Sequence, residues 1–123
     1  MFGLIVTAKN EMLLVEYDAP HYDTITAAVG GWYERVNPVG LEHPYCMMVN
    51  DEGLLRNLPL NLVGSLLYGT EIHGHPIVGD VIFLKLGYYR GEPDVVGMTE
   101  DDAQTLGDRF AETTNGLAHW VSN

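Results

Sequence analysis

Short apolar runs bounded by turn-forming residues constrain this chain more than any other feature. Phe2 to Thr7, Met12 to Tyr17, Tyr45 to Asn50 and Ile77 to Leu86 are rich in Leu, Ile, Val and Met, and Gly, Pro, Asn or Asp stands close to each. Runs of this length suit half-buried or buried strands. None approaches the roughly 20 apolar residues needed to span a bilayer. With 123 residues, 46% hydrophobic and 19% charged, the chain can bury one core of ordinary size and has the composition of a folded protein.

The first two runs, joined by Ala8-Lys9-Asn10-Glu11, read as a hairpin. Asp23 is expected to cap a short helix over Thr24 to Val29, which Gly30-Gly31 stops. Trp32 to Val36 fits an amphipathic strand, and 38–44 a loop. Tyr45 to Asn50 is nearly continuous in apolar residues and reads as a central strand, ended by the Asp51-Glu52-Gly53 turn. Leu54 to Pro59 is expected to be extended. Asn61 then caps a helix through Tyr68 that ends at Gly69, and His73-Gly74-His75-Pro76 is a loop. Ile77 to Leu86 is the longest strand, with Gly79-Asp80 as a bulge or a point of close approach. Gly87 to Pro93 reads as a loop, followed by a short apolar piece, Val95 to Met98. Thr99-Glu100-Asp101-Asp102 has the form of a capping box and opens a helix over 100–113, with Gly116 as its stop and an apolar tail, Leu117 to Val121, that docks. The expected fold class is α+β: a small, mainly antiparallel sheet with two short helices and one C-terminal helix.

Four strings carry a family resemblance: Val29-Gly30-Gly31-Trp32-Tyr33-Glu34-Arg35-Val36, Val49-Asn50-Asp51-Glu52-Gly53, Asn57-Leu58-Pro59-Leu60-Asn61 and Ile77-Val78-Gly79-Asp80-Val81-Ile82-Phe83-Leu84. Their order and spacing, over about residues 10 to 102, resemble DUF3846, a family of small bacterial and phage proteins of unknown function. The resemblance implies a compact α+β domain carried by phages and mobile elements, used for accessory work against the host. Where the family tends to carry basic residues this chain has Leu54 and Leu62, which weakens any inherited basic site there. Residues 1–98 are read as the family-like domain. Residues 99–123 are read as an acidic helix and tail packed on it, with no family counterpart from Ala103 onward.

Six Lys and Arg against 17 Asp and Glu give a net charge of −11, which repels nucleic acid and anionic lipid. Direct binding to either is therefore not expected. Solubility is the plain meaning of such a charge; the other is an acidic surface that competes for the basic groove of a DNA-binding partner. Cys46 is the single cysteine, so no internal disulfide is possible, and its apolar run marks it as a small buried hydrophobe. Phe2 to Val6 lacks the basic flank of a signal peptide, and a cytoplasmic protein is expected.

Three groups of residues are candidate sites. Glu92, Asp94, Glu100, Asp101, Asp102, Asp108 and Glu112 face only Arg109 between residues 92 and 123, a net −6 that can imitate a phosphate track for a host protein's arginines and lysines. Trp32, Arg35, Tyr88, Tyr89 and Arg90 can form an aromatic and cationic pocket for a nucleotide at an oligomer interface, or fill the core and pair with surplus acids. His73 and His75, with Glu71 or Asp80, have the chemistry of a metal site, but solvated loop histidines are the plainer reading, and no metal or cofactor is expected. Ser65 and Ser122 lie in no nucleophile motif and no phosphate loop is present, so no enzyme activity is expected.

Overall fold

The computed structural model describes residues 1–121, so Ser122 and Asn123, the end of the expected 99–123 segment, lie outside the described residues. In chain order the elements are β1 (Phe2–Val6), β2 (Glu11–Glu16), α1 (Tyr22–Val29), β3 (Tyr33–Val36), β4 (Tyr45–Asn50), α2 (Leu62–Tyr68), α3 (Thr70–His73), β5 (Val81–Tyr89), β6 (Glu92–Val96), α4 (Glu100–Thr113) and β7 (His119–Trp120). The fold is α+β. One sheet runs β3-β4-β5-β1-β2-β7, and β6 continues along the β5 edge that β1 leaves free. Every pairing is antiparallel except that of β7, which lies parallel to β2.

The continuous apolar character of β4 and β5 follows from helices on both faces of the sheet. Met47, Val49, Val81 and Phe83 point to one face, where Val63 and Leu67 of α2 and Ala103, Leu106 and Phe110 of α4 cover them. Cys46, Met48, Ile82 and Leu84 point to the other, against Ile25 and Val29 of α1. Strands covered on both sides lose the polar alternation of a half-exposed sheet. Phe83 and Phe110 meet edge to face, with ring centroids 4.9 Å apart.

Several local expectations are met. Gly30 ends α1 at φ 83°, Asn61 caps α2 through its side chain, and Thr99 caps α4 by accepting the Asp102 N–H at 3.1 Å. The apolar tail docks as β7, and the indole of Trp120 lies so close to Gly107 that no side chain fits there. That approach explains a glycine in the middle of α4, where it otherwise weakens a helix.

Four expectations are corrected. Asp23 sits inside the first turn of α1, whose N-cap is His21 without a side-chain bond. Residues 54–57 are turns rather than extended chain, because Arg56 N–H donates to the Glu52 carbonyl and Leu58 N–H to that of Gly53. His73 ends a helical turn, α3, closed between the left-handed Gly69 and Gly74 by the Gly74 N–H to Thr70 carbonyl bond, which adds a helix to those expected. Residues 87–93 are a hairpin: Arg90 and Gly91 take φ 53° and 80°, the paired positive values of a tight two-residue turn, and β5 runs on to Tyr89 before β6 returns.

The side chain of Asn61 joins three of these elements. Its Nδ2 donates to the carbonyls of Val6 (3.0 Å) and Gly79 (2.9 Å), and its Oδ1 accepts the Gly64 N–H (2.8 Å), all fully buried. Asn61→Ala leaves these groups without partners in the core and is expected to lower stability by about 3 kcal/mol. The check is a reduced urea midpoint with an unchanged slope.

Candidate functional site

α4 buries Ala103, Leu106 and Phe110 at helical spacing, so the positions opposite them meet solvent. Asp101, Asp108 and Glu112, seven and four residues apart, occupy that outward ridge, and Glu100 stands beside it at the first turn. Asp102 and Arg109 sit on one flank, and both hold the helix to its neighbours. Asp102 binds Lys85 of β5 at 2.9 Å, while the Arg109 guanidinium grips both carboxylate oxygens of Glu42 at 2.7 Å each. Asp108 accepts the Trp120 indole N–H at 2.8 Å and so ties the tail to the helix.

The seven acidic candidates thus divide. Asp102 and Asp108 serve the fold, and Asp94 accepts the N–H of Val95 at 2.7 Å. Glu92, Glu100, Asp101 and Glu112 are exposed and have no side-chain partner among the described residues. Glu92 and Asp94 belong to β6, apart in sequence from the α4 ridge.

Of the aromatic and cationic candidates, Arg35 and Tyr88 come together. With His43, Leu86, Pro93 and Asp94 they line an open cavity of about 260 Å³. Arg35 has no ion-pair partner among the described residues, despite the 17 acidic residues of the chain. Trp32 is exposed and does not line this cavity, and Arg90 occupies the β5–β6 turn. The side chain of Tyr89 lies outside the described structure.

His73 and His75 do not converge with Glu71 and Asp80 on a common point. The Tyr68 ring stacks on His73 with centroids 4.1 Å apart, and its hydroxyl meets His75 Nε2 at 3.1 Å. Asp80 accepts the Ala8 N–H at 2.9 Å. Cys46 is fully buried, and desolvation pushes its thiol up to about 11 even though Arg35 nearby acts in the opposite direction. Such a thiol is a poor nucleophile at neutral pH.

One surface escaped the sequence reading. Leu60, Leu62, Leu66 and Ile72 are all exposed and line an open groove of about 510 Å³ on α2 and α3. The signal was present in α2: Leu62 and Leu66 repeat the apolar spacing of Val63 and Leu67 one position earlier, so the helix is apolar on two faces and the core covers only one.

A mainly antiparallel sheet with helices on both faces defines a small α+β protein. The family model described as "Domain of unknown function (DUF3846)" matches residues 1–111, and the chain belongs to that family. The match extends past the expected end near residue 102 to Ala111 and so takes in Ala103, Leu106 and Phe110, which contribute to the core. No curated protein and no solved structure matches the chain. No helix among the described residues is long and apolar enough to cross a membrane.

The Arg109 pair sets a pH dependence. Hydrogen bonding to Arg109 is the main cause that lowers the Glu42 carboxyl to about 2. A depressed folded-state value means that the favourable contribution is present above the ordinary carboxylate range and is lost as pH falls toward 2. Carbon-detected NMR titration is expected to place Glu42 near 2 in the native protein and to return it to the ordinary range in Arg109→Ala.

Proposed function

We propose that this chain is a non-enzymatic accessory protein, of the kind phages and mobile elements carry, that acts in the host cytoplasm by binding a host protein. The solvent ridge of α4 is its acidic decoy, addressed to the basic groove of a defence or DNA-processing factor. The observation that carries this reading is the division of the carboxylates. Asp102 on the flank is held by Lys85 and Asp108 on the ridge by the Trp120 indole, whereas Glu100, Asp101 and Glu112 face water without a compensating cation among the described residues. A rigid row of carboxylates on a well-capped helix offers fixed acceptors to arginine and lysine.

The triple reversal Glu100→Lys, Asp101→Lys and Glu112→Lys leaves every observed ion pair in place, so the fold should survive. The immobilised wild-type chain is expected to retain a host protein from lysate, to release it to competing duplex DNA, and to lose it on triple reversal. Retention of the same protein by the reversed variant sinks the decoy.

Arg35 favours a second reading, a sponge for a signalling nucleotide at an oligomer interface. An arginine with no ion-pair partner among the described residues, set in a cavity with His43, Asp94 and the exposed ring of Tyr88, supplies phosphate pairing and a stacking face. Thermal-shift screening with cyclic nucleotides and ADP-ribose is expected to raise Tm for the native chain and not for Arg35→Ala. Equal shifts in both, or none in either, exclude this pocket.

A further inference from the structure

The groove on α2 and α3 is independent of both surfaces above. Leu66 is 59% exposed and Ile72 is 72% exposed, and Leu62, one helical turn before Leu66, continues the same row. Contiguous apolar surface of this kind on a small domain marks a site of association. Apart from the Glu71 carboxylate, polar groups here are largely bonded within the chain: the Ser65 hydroxyl donates to the Ile77 carbonyl and accepts the Ile77 N–H, and the Gly69, Ile72, His73 and Gly74 N–H groups bond to carbonyls of the same segment.

We propose that this groove takes a basic amphipathic helix from a partner protein. Two observations select that occupant. Glu71 is the only ionisable residue in the lining among the described residues, and the chain as a whole carries −11. A second copy would bring the same charge against it, whereas a Lys- and Arg-rich segment is attracted. The walls are mainly the helices α2 and α3, and the N–H groups of Gly69, Ile72, His73 and Gly74 are internally bonded, so an extended strand finds little ladder to join. A row of leucine and isoleucine side chains instead meets the ridge that a helix presents at i, i+3, i+4 and i+7. The proposal goes beyond the α4 decoy and does not require it.

The test is fluorescence anisotropy with a labelled synthetic helix of leucine and lysine, leucines at i, i+3, i+4 and i+7, against a scrambled peptide of the same composition. The amphipathic peptide is expected to bind at least about tenfold more tightly than the scrambled one, and Leu66→Asp or Ile72→Asp to weaken it by about tenfold. Both substitutions fall on exposed positions and add negative charge, which favours a cationic peptide, so a loss reports apolar contact. Equal binding of the two peptides, or affinity unchanged in Leu66→Asp and Ile72→Asp, overturns the proposal. So does light scattering that shows a dimer abolished by Leu66→Asp, since a second copy then fills the groove. The α4 reading fails on charge reversal at Glu100, Asp101 and Glu112, and this one on the groove variants, so the two fail separately.

Discussion

The carboxamide of Asn61 reaches three stretches of backbone that are distant in sequence: the end of β1 at Val6, the approach to β5 at Gly79, and the first turn of α2 at Gly64. Each of these groups lies where water cannot reach, and a buried carbonyl or N–H without a partner costs more than a hydrogen bond contributes. Asn61 is also anchored through its own backbone, since its N–H donates to Ile77 and its carbonyl accepts from Ser65. Two donors and one acceptor on one short side chain therefore set where α2 begins and how it lies over the sheet. No other side-chain type presents that combination at the same length. The groove beside α2 inherits its position from this contact.

Asn50 does comparable work on the opposite face. Its Nδ2 donates to the Val29 carbonyl at the end of α1, and its Oδ1 accepts the Glu52 N–H of the following turn. Both asparagines look, as residues, like ordinary turn or cap formers. The cap of Asn61 is local and follows from its spacing to Gly64. The reach of either side chain to carbonyls more than 15 residues away depends on the sheet having assembled.

The scarce cations are used with economy. Lys85 and Arg109 join α4 to the sheet and to the loop carrying Glu42, and Arg56 donates to the Gly30 carbonyl at the end of α1. These pairs are exposed or half-exposed and orient elements more than they stabilise them. What they leave is a surface with unmatched carboxylates on the α4 ridge and an arginine in the β3–β5 cavity. The concentration of acid in the last quarter was legible from composition alone. Which of those acids face water was not, because Lys85 and Glu42 lie far from α4 in sequence.

The amino-acid sequence alone determined the strand-length apolar runs, the caps at Asn61 and Thr99, the first hairpin and the α+β class, together with the family. The runs, caps and hairpin depend on neighbours within about one turn of helix or one hairpin, where hydrogen-bond geometry and side-chain period act directly, whereas the family rests on the order and spacing of strings along most of the chain. Tertiary structure alone decided that the Leu117 to Val121 segment joins β2 as a parallel strand, that Gly87 to Pro93 closes a hairpin on β5, and that Tyr68 engages His73 and His75. It also decided that the outer leucines of α2 stay uncovered. Apolar spacing states which residues avoid water when a partner is present; whether this chain supplies that partner depends on how every other element packs, and the described residues leave Leu62, Leu66 and Ile72 exposed.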